Sequence, residues 1–188
     1  MALSLDRLAY YDQPMHLIGF SMGGYIASLA ALKLPEKVAS LTLVGFDSDG
    51  LSTKELSQRK QLLQGINSGS YQCMSQSKLE FFVHCDNAKN QAVVGILKKM
   101  EGDLGSHVLA SQIKATTDRK NLTAQLAQCQ FPVHLITGEQ DKVASPEALK
   151  RIQQQIPNSE RLIVADAGHM LPLEQPKALA RYLHAVLS

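Results

Sequence analysis

A serine at position 21 lies between Gly19 and Gly23, after the apolar run Pro14-Met15-His16-Leu17-Ile18 and before Gly24-Tyr25-Ile26-Ala27-Ser28-Leu29-Ala30. Gly-x-Ser-x-Gly between a strand and a helix is the setting in which a serine hydroxyl becomes a nucleophile. The strand ends at Gly19 and the helix starts beside Met22, so Ser21 falls on the sharp turn between them. Side chains at Gly19 and Gly23 are expected to clash with the neighbouring strand and helix, and the turn to hold Ser21 in a strained backbone conformation. Ser21 Oγ is then raised at the carboxyl end of a sheet, with a helix N-terminus pointing toward it. The backbone N–H of Met22 can donate to a developing oxyanion. The implied chemistry is acyl transfer through serine.

Such a serine needs a base within hydrogen-bond reach. The chain has six histidines. His169, in Ala167-Gly168-His169-Met170-Leu171-Pro172, follows the last apolar strand and precedes the last helix, which puts it on a loop at the same sheet edge as Ser21. His16 and His134 fall inside strands and read as packed, hydrogen-bonded structural residues. His84, His107 and His184 lie on helical patterns and read as surface or interface positions. The acid that orients the imidazole should also come from a loop at that edge. Asp141, in Thr137-Gly138-Glu139-Gln140-Asp141-Lys142-Val143, follows the third apolar strand. Asp47 and Asp49 follow the second and fit the same part, with Asp47 the runner-up. Asp166 is close enough to His169 in sequence to read as a turn residue, and Glu139 as solvated.

Four short, continuously apolar segments must carry these loops: Met15–Gly19, Leu41–Gly45, Val133–Thr137 and Arg161–Ala165. Their lack of polar alternation predicts burial on both faces, as in a parallel sheet covered by helices. Between and after them come helical patterns. One runs Met22–Leu34 and stops before Pro35. Another is opened by Ser145-Pro146-Glu147 and closed by Pro157, with Leu149, Ile152 and Ile156 on one face. A last helix opens at Pro176, with Leu179, Leu183 and Val186 aligned. Strand–helix repetition predicts an α/β fold with right-handed crossovers and a doubly wound parallel sheet.

Residues 51–130 differ in being rich in Gln, Ser, Lys and Asn. Helical spacing groups Leu56, Leu63 and Ile66; Leu79, Phe82 and Val83; and Val93, Ile96, Leu97 and Met100. A further helix is predicted near Gly105–Thr117, with breaks at Asn67-Ser68-Gly69-Ser70, Asp86-Asn87 and Glu101-Gly102-Asp103. This stretch reads as a helical insertion between two strands, with Met74, Phe81, Phe82 and Leu104 as candidate pocket residues, although core packing is the favoured role of each.

With 188 residues the chain suits one domain with a substantial core. Nineteen basic and seventeen acidic residues leave a formal charge of +2 without a basic block, so neither nucleic acid nor an anionic membrane is implied as a partner. No run of about 18 apolar residues exists to span a membrane, and the first residues have no cationic-then-apolar signal pattern. A cytoplasmic location is expected. Cys73, Cys85 and Cys129 form no CxxC pair and leave one over, which predicts reduced, buried thiols. No Cys/His spacing suggests zinc, and neither metal nor organic cofactor is required by the chemistry.

Gly19-Phe20-Ser21-Met22-Gly23-Gly24, Gly138-Glu139-Gln140-Asp141 and Gly168-His169-Met170-Leu171-Pro172-Leu173-Glu174-Gln175-Pro176 together resemble the motifs of the α/β-hydrolases, in the family's order of serine, acid, histidine. Within that superfamily the chain is similar to small cap-bearing members: enol-lactonases, carboxylesterases, carbon–carbon bond hydrolases and cofactor-free haloperoxidases. The resemblance covers residues 14–46 and about 117–188, and residues 51–120 correspond to the helical cap. It implies a Ser21–His169–Asp141 triad with the Met22 N–H at the oxyanion, acting on a small ester, thioester or lactone.

The resemblance also implies an eight-stranded sheet in which the nucleophile follows the fifth strand. Here Ser21 follows the first apolar strand, and Leu3, Leu5, Leu8 and Tyr11 read as the tail of the helix that enters it. The chain is therefore expected to be a single, incomplete domain: about four strands plus cap, without the first four strands and the second oxyanion donor. Strand Met15–Gly19 would then present a bare edge, open to a missing N-terminal half or to a second copy of the chain. Three readings follow: a serine hydrolase completed from elsewhere or begun upstream, a self-folding or edge-paired protein of low activity, and a non-catalytic interaction module.

Overall fold

The computed structural model describes residues 2–71 and 74–188. Four parallel strands form one sheet in the order β1-β2-β3-β4: β1 Met15–Phe20, β2 Val38–Val44, β3 Val133–Gly138 and β4 Ser159–Val164. Sequence order equals spatial order, so each crossover steps one strand across. Helices α1 (Ala2–Tyr10) and α2 (Met22–Lys33) flank β1, and the longest crossover carries α3 (Thr53–Asn67), α4 (Gln76–Phe82), α5 (Gln91–Thr117) and α6 (Thr123–Leu126). Helix α7 (Pro146–Gln155) joins β3 to β4, and α8 (Leu171–Glu174) and α9 (Pro176–Leu187) close the chain.

Alternation along the central strands divides the core between two faces. Leu41 and Leu43 of β2, with Val133 and Leu135 of β3, pack with Leu149, Ile152 and Ile156 around α7 and with Leu8 and Ala31 from α1 and α2. On the other face, Val44, Ile136 and Val164 pack against Leu171, Leu179 and Tyr182 from α8 and α9. Helices therefore cover both faces, as the apolar pattern predicts. Burial on both faces holds only for β2 and β3. In β1, Ile18 is 48 % exposed, and in β4, Ile163 is 41 % exposed. Edge strands lie at the margins of the helical layers, and on its outer side β1 pairs with no strand among the described residues.

The helical segment between β2 and β3 has its own core of Leu79, Val83, Ala88, Val93, Val94 and Leu97, joined by Met170 and Leu173 from the chain after β4. Its first helix starts with a full capping box: Ser52 Oγ accepts from Glu55 N, and Glu55 Oε2 accepts from Ser52 N at 2.9 Å. The predicted break at Glu101-Gly102-Asp103 is not where the chain bends. Helix α5 continues through it, with Lys99 Nζ donating to Asp103 Oδ2 at 2.7 Å one turn on, and kinks instead at Gly105 (φ 73°, ψ 166°). That conformation is open to glycine and strained for other residues.

Two histidines correct the sequence reading. His16 is hydrogen-bonded, its Nδ1 2.7 Å from Ser40 Oγ, but exposed on the edge strand rather than packed. His84 lies beyond α4 and is buried rather than at the surface. The thiols differ too: Cys85 is exposed and Cys129 half-buried, and Cys73 lies outside the described residues.

His134 is buried in β3 beside Tyr182, and loss of hydration pushes its imidazole below the ordinary value of 6.5. Between that lowered value and 6.5 the unfolded chain binds more protons, so stability falls as pH drops through this window. Thermal unfolding from pH 7 to pH 5 is expected to show this slope, and His134→Phe to reduce it.

Candidate active site

Ser21 occupies the step between β1 and α2 with φ 49° and ψ −116°, outside the conformations that side chains favour. Its N–H donates to Val44 O at 2.9 Å, and its carbonyl accepts from Gly24 N at 2.8 Å. The step is tight because chain segments nearly touch: a Cβ on Gly19 would lie 2.4 Å from Gly23 O. A Cβ on Gly24 would lie 2.6 Å from the Phe46 side chain. Gly23, expected to avoid a clash, has nothing within 4 Å of where its Cβ would stand. The second crowded glycine is thus Gly24, because that position, not Gly23, faces the body of the sheet. Met22 N–H, in the first turn of α2, has no acceptor within the helix.

The geometry joins three loops from the carboxyl ends of β1, β3 and β4. His169 Nε2 lies 3.0 Å from Ser21 Oγ, and His169 Nδ1 lies 3.0 Å from Asp141 Oδ2. Asp141 Oδ1 accepts from Val143 N at 2.7 Å and Ala144 N at 2.8 Å, which fixes the carboxylate against the loop. Thr137 Oγ1 is 3.2 Å from the other carboxylate oxygen. Asp141 and His169 are both buried, and the imidazole lies against Phe20 and Phe82, with ring centroids at 5.3 and 5.9 Å. Among six histidines the structure brings only His169 to Ser21 among the described residues.

The other acids are engaged elsewhere. Asp47 Oδ1 accepts from Asp49 N, and Asp49 Oδ1 accepts from Thr123 Oγ1. Burial raises the Asp47 carboxyl above its ordinary value. Asp166 is a turn residue with φ 54°. Glu139 is exposed, as read, and it also sits 3.5 Å from His84 Nε2 and accepts from Asp166 N.

Glu174 has no role in the sequence reading beyond its place in the motif, and the structure gives it one. Its carboxylate accepts from Gly168 N at 2.9 Å, His84 N at 2.6 Å and Asn87 Nδ2 at 2.9 Å. It ties the histidine loop to the helical segment. The two backbones approach so closely that a Cβ on Gly168 would lie 2.6 Å from Val83 C and 2.8 Å from His84 N. Gly168→Ala is expected to cost about 2–4 kcal/mol, since backbone atoms on both sides must move. Urea unfolding would measure it, and ester turnover should fall with it.

Ser21 and His169 open into a cleft of about 620 Å³ between the sheet edge and α3, α4 and α5. Phe81 and Phe82 line it, where the sequence reading favoured core packing over this role. Beside it an apolar hollow of about 270 Å³ includes Met74 and Leu104, and shares Leu62, Phe82, Leu109 and Met170 with the cleft. Ligand-type atoms of His84 with Cys85 and Asp86, and of His84 with Glu139 and Asp166, gather within 4.8 Å of one another away from the cleft. No helix of the described residues is long and apolar enough to cross a membrane.

The sequence is 23% identical over 189 residues to the bovine monoacylglycerol lipase ABHD6, spanning 95% of this chain and 56% of that protein. It is 27% identical over 177 residues to lipase 3 of Moraxella sp. (strain TA144), spanning 88% of this chain and 53% of that one. The chain thus spans about half the length of these curated relatives. In three dimensions it resembles a thermophilic esterase from Thermogutta terrifontis, with a TM-score of 0.86 at 21% identity over 98% of this chain and 68% of the esterase. It also resembles the enol-lactonase from Burkholderia xenovorans LB400, with a TM-score of 0.76 at 18% identity over 93% of this chain and 65% of the lactonase. These likenesses are of the fold as a whole. With the alpha/beta hydrolase fold family matching residues 4–176, the chain belongs to the α/β-hydrolases.

Proposed function

We propose that this chain is a serine hydrolase of carboxylic esters, thioesters or lactones, with Ser21 as nucleophile, His169 as base and Asp141 as the orienting acid. The observation that carries the reading is the continuous contact from Asp141 Oδ2 through both nitrogens of one imidazole to Ser21 Oγ, each step 3.0 Å. With Nδ1–H donating to Asp141, the unprotonated Nε2 faces the hydroxyl.

In the first step His169 Nε2 takes the Ser21 proton as Oγ bonds to the carbonyl carbon. The carbonyl oxygen becomes an oxyanion that accepts from Met22 N–H. Collapse breaks the bond to the leaving oxygen or sulfur, and His169 returns the proton to it. In the second step water attacks the acyl-enzyme with its proton passing to His169; collapse breaks the bond to Ser21 Oγ, His169 returns the proton to Oγ, and the acid is released. The helical segment between β2 and β3 acts as a cap over the cleft, and its apolar hollow receives hydrocarbon. The same groups would serve carbon–carbon bond hydrolysis or perhydrolysis, so substrate comparison decides among these reactions.

A fluorophosphonate probe tests the nucleophile directly. The folded chain should be labelled at Ser21, as read by peptide mass spectrometry. A folded chain that remains unlabelled would sink this reading and favour the interaction module that pairs through the open edge of β1.

A further inference from the structure

The cleft beside Ser21 carries an excess of positive charge that its own residues do not neutralise. Lys54, Arg59 and Lys142 line it, and Glu55 is the acidic residue in the lining. The Glu55 carboxylate is committed to its capping box, accepting from Ser52 N and Ser52 Oγ at 2.9 and 2.8 Å. Lys142 donates to a neutral acceptor, Glu80 O, at 2.7 Å. Arg59 donates to Thr116 Oγ1 at 2.9 Å, and it pairs with no carboxylate among the described residues.

Arg59 also feels the charge of a second guanidinium, Arg119. It donates to Gly50 O, stacks over Phe46 and leaves its Nε buried without a hydrogen-bond partner. Burial lowers the proton affinity of both groups and the charge of Arg119 lowers that of Arg59 further, offset in part by Glu55 acting on both and by Asp47 acting on Arg119. Two half-buried arginines near one another, neither in a salt bridge with an acid among the described residues, are costly for a fold to keep. An anion supplied from outside would relieve both the desolvation and the mutual repulsion. Guanidinium presents a planar fork matched to the two oxygens of a carboxylate or to a phosphate.

We propose that the substrate is an ester that bears a second, anionic group, carboxylate or phosphate, held by Arg59 while Ser21 attacks the acyl carbon. This rests on the serine-hydrolase reading above and adds the substrate class to it. Lys54 and Lys142, both exposed at the cleft rim, draw the anion in, and the adjoining apolar hollow takes a hydrocarbon arm of the same molecule. Arg59 is well placed for this because α3 presents it from the helical segment while Ser21 comes from the sheet edge, on one cleft.

The test compares two esters of equal chain length, mono-4-nitrophenyl glutarate and 4-nitrophenyl valerate, each corrected for spontaneous hydrolysis. The carboxylate ester should have the higher kcat/KM by about 10- to 100-fold at low salt. Arg59→Gln should collapse that ratio, Arg59→Lys should restore part of it, and 0.5 M salt should shrink it. A ratio near one, or one that Arg59→Gln leaves intact, overturns the proposal. A second arm needs no chemistry: Ser21→Ala protein is titrated calorimetrically with glutarate and with inorganic phosphate, separating the two anions. Saturable, Arg59-dependent binding of either supports the anion site, even if neither ester is turned over, an outcome that would count against the nucleophile instead. Absence of binding of both to the folded protein removes the anion site, whether or not Ser21 is labelled.

Discussion

Ser21→Ala is expected to abolish fluorophosphonate labelling and to lower kcat for a short ester by about 10⁴- to 10⁶-fold, with the fold intact. The size follows from the mechanism: without Oγ no acyl-enzyme forms, and the surviving catalysis comes from binding and the oxyanion donor alone. The fold should tolerate the change because alanine meets the same backbone strain at φ 49° that serine does, and because the bonds that hold the turn are backbone bonds. Ser21→Gly separates strain from chemistry. It should lose activity equally and gain about 1 kcal/mol of stability, since glycine adopts the left-handed region freely. Turnover and thermal unfolding of the two variants measure both effects. A Ser21→Ala protein that kept its labelling would move the nucleophile elsewhere.

Asp141→Asn is expected to lower kcat by about 10⁴-fold for a different reason. Asp141 Oδ1 accepts from two backbone N–H groups, Val143 and Ala144. An asparagine therefore keeps its carbonyl oxygen on that side and turns its NH₂ toward His169 Nδ1, where Asp141 Oδ2 now lies at 3.0 Å. Thr137 Oγ1 can accept the other amide hydrogen, which reinforces this orientation. An NH₂ facing Nδ1 makes that nitrogen the acceptor and leaves the proton on Nε2. The imidazole then presents N–H, not a lone pair, to Ser21. Steady-state kinetics would measure the loss, and nitrogen NMR of the ring would report the tautomer. If Asp141→Asn left kcat unchanged, orientation of His169 would have to come from another group.

Much of this site is legible in the chain because its parts are set by local chemistry. Glycine around a serine, between an apolar run and a helix, is one turn long. Gly138-Glu139-Gln140-Asp141 and Gly168-His169 each follow an apolar run directly, and in a parallel sheet every loop after a strand lies on the same edge. Periodicity and order were therefore enough to select Asp141 and His169 from among the chain's acids and histidines. The strands fall within a few residues of where the apolar runs suggest, and Ser145, read as the cap of its helix, accepts from Ala148 N three residues on.

The features that escaped the sequence depend on atoms far apart in the chain. Whether a glycine is crowded depends on what faces it, so Gly24, not Gly23, proves to be the tight position. Gly102 and Gly105 look alike in sequence, and only the path of α5 decided which one bends. His84 looked like a surface helical residue and became buried because the chain beyond α4 turns down against the loops of Glu139 and Asp166. Glu174 could not be given a role from its type, since its work is to accept N–H groups from Gly168, His84 and Asn87, up to 90 residues away. The sequence by itself determined the order of strands and helices and the identity of the Ser21, Asp141 and His169 loops, because strand alternation, capping and turns act over a few residues. Tertiary structure alone decided the 3.0 Å contacts, the bridge through Glu174 and the place of Arg59 in the cleft, because distance between remote side chains is a property of packing.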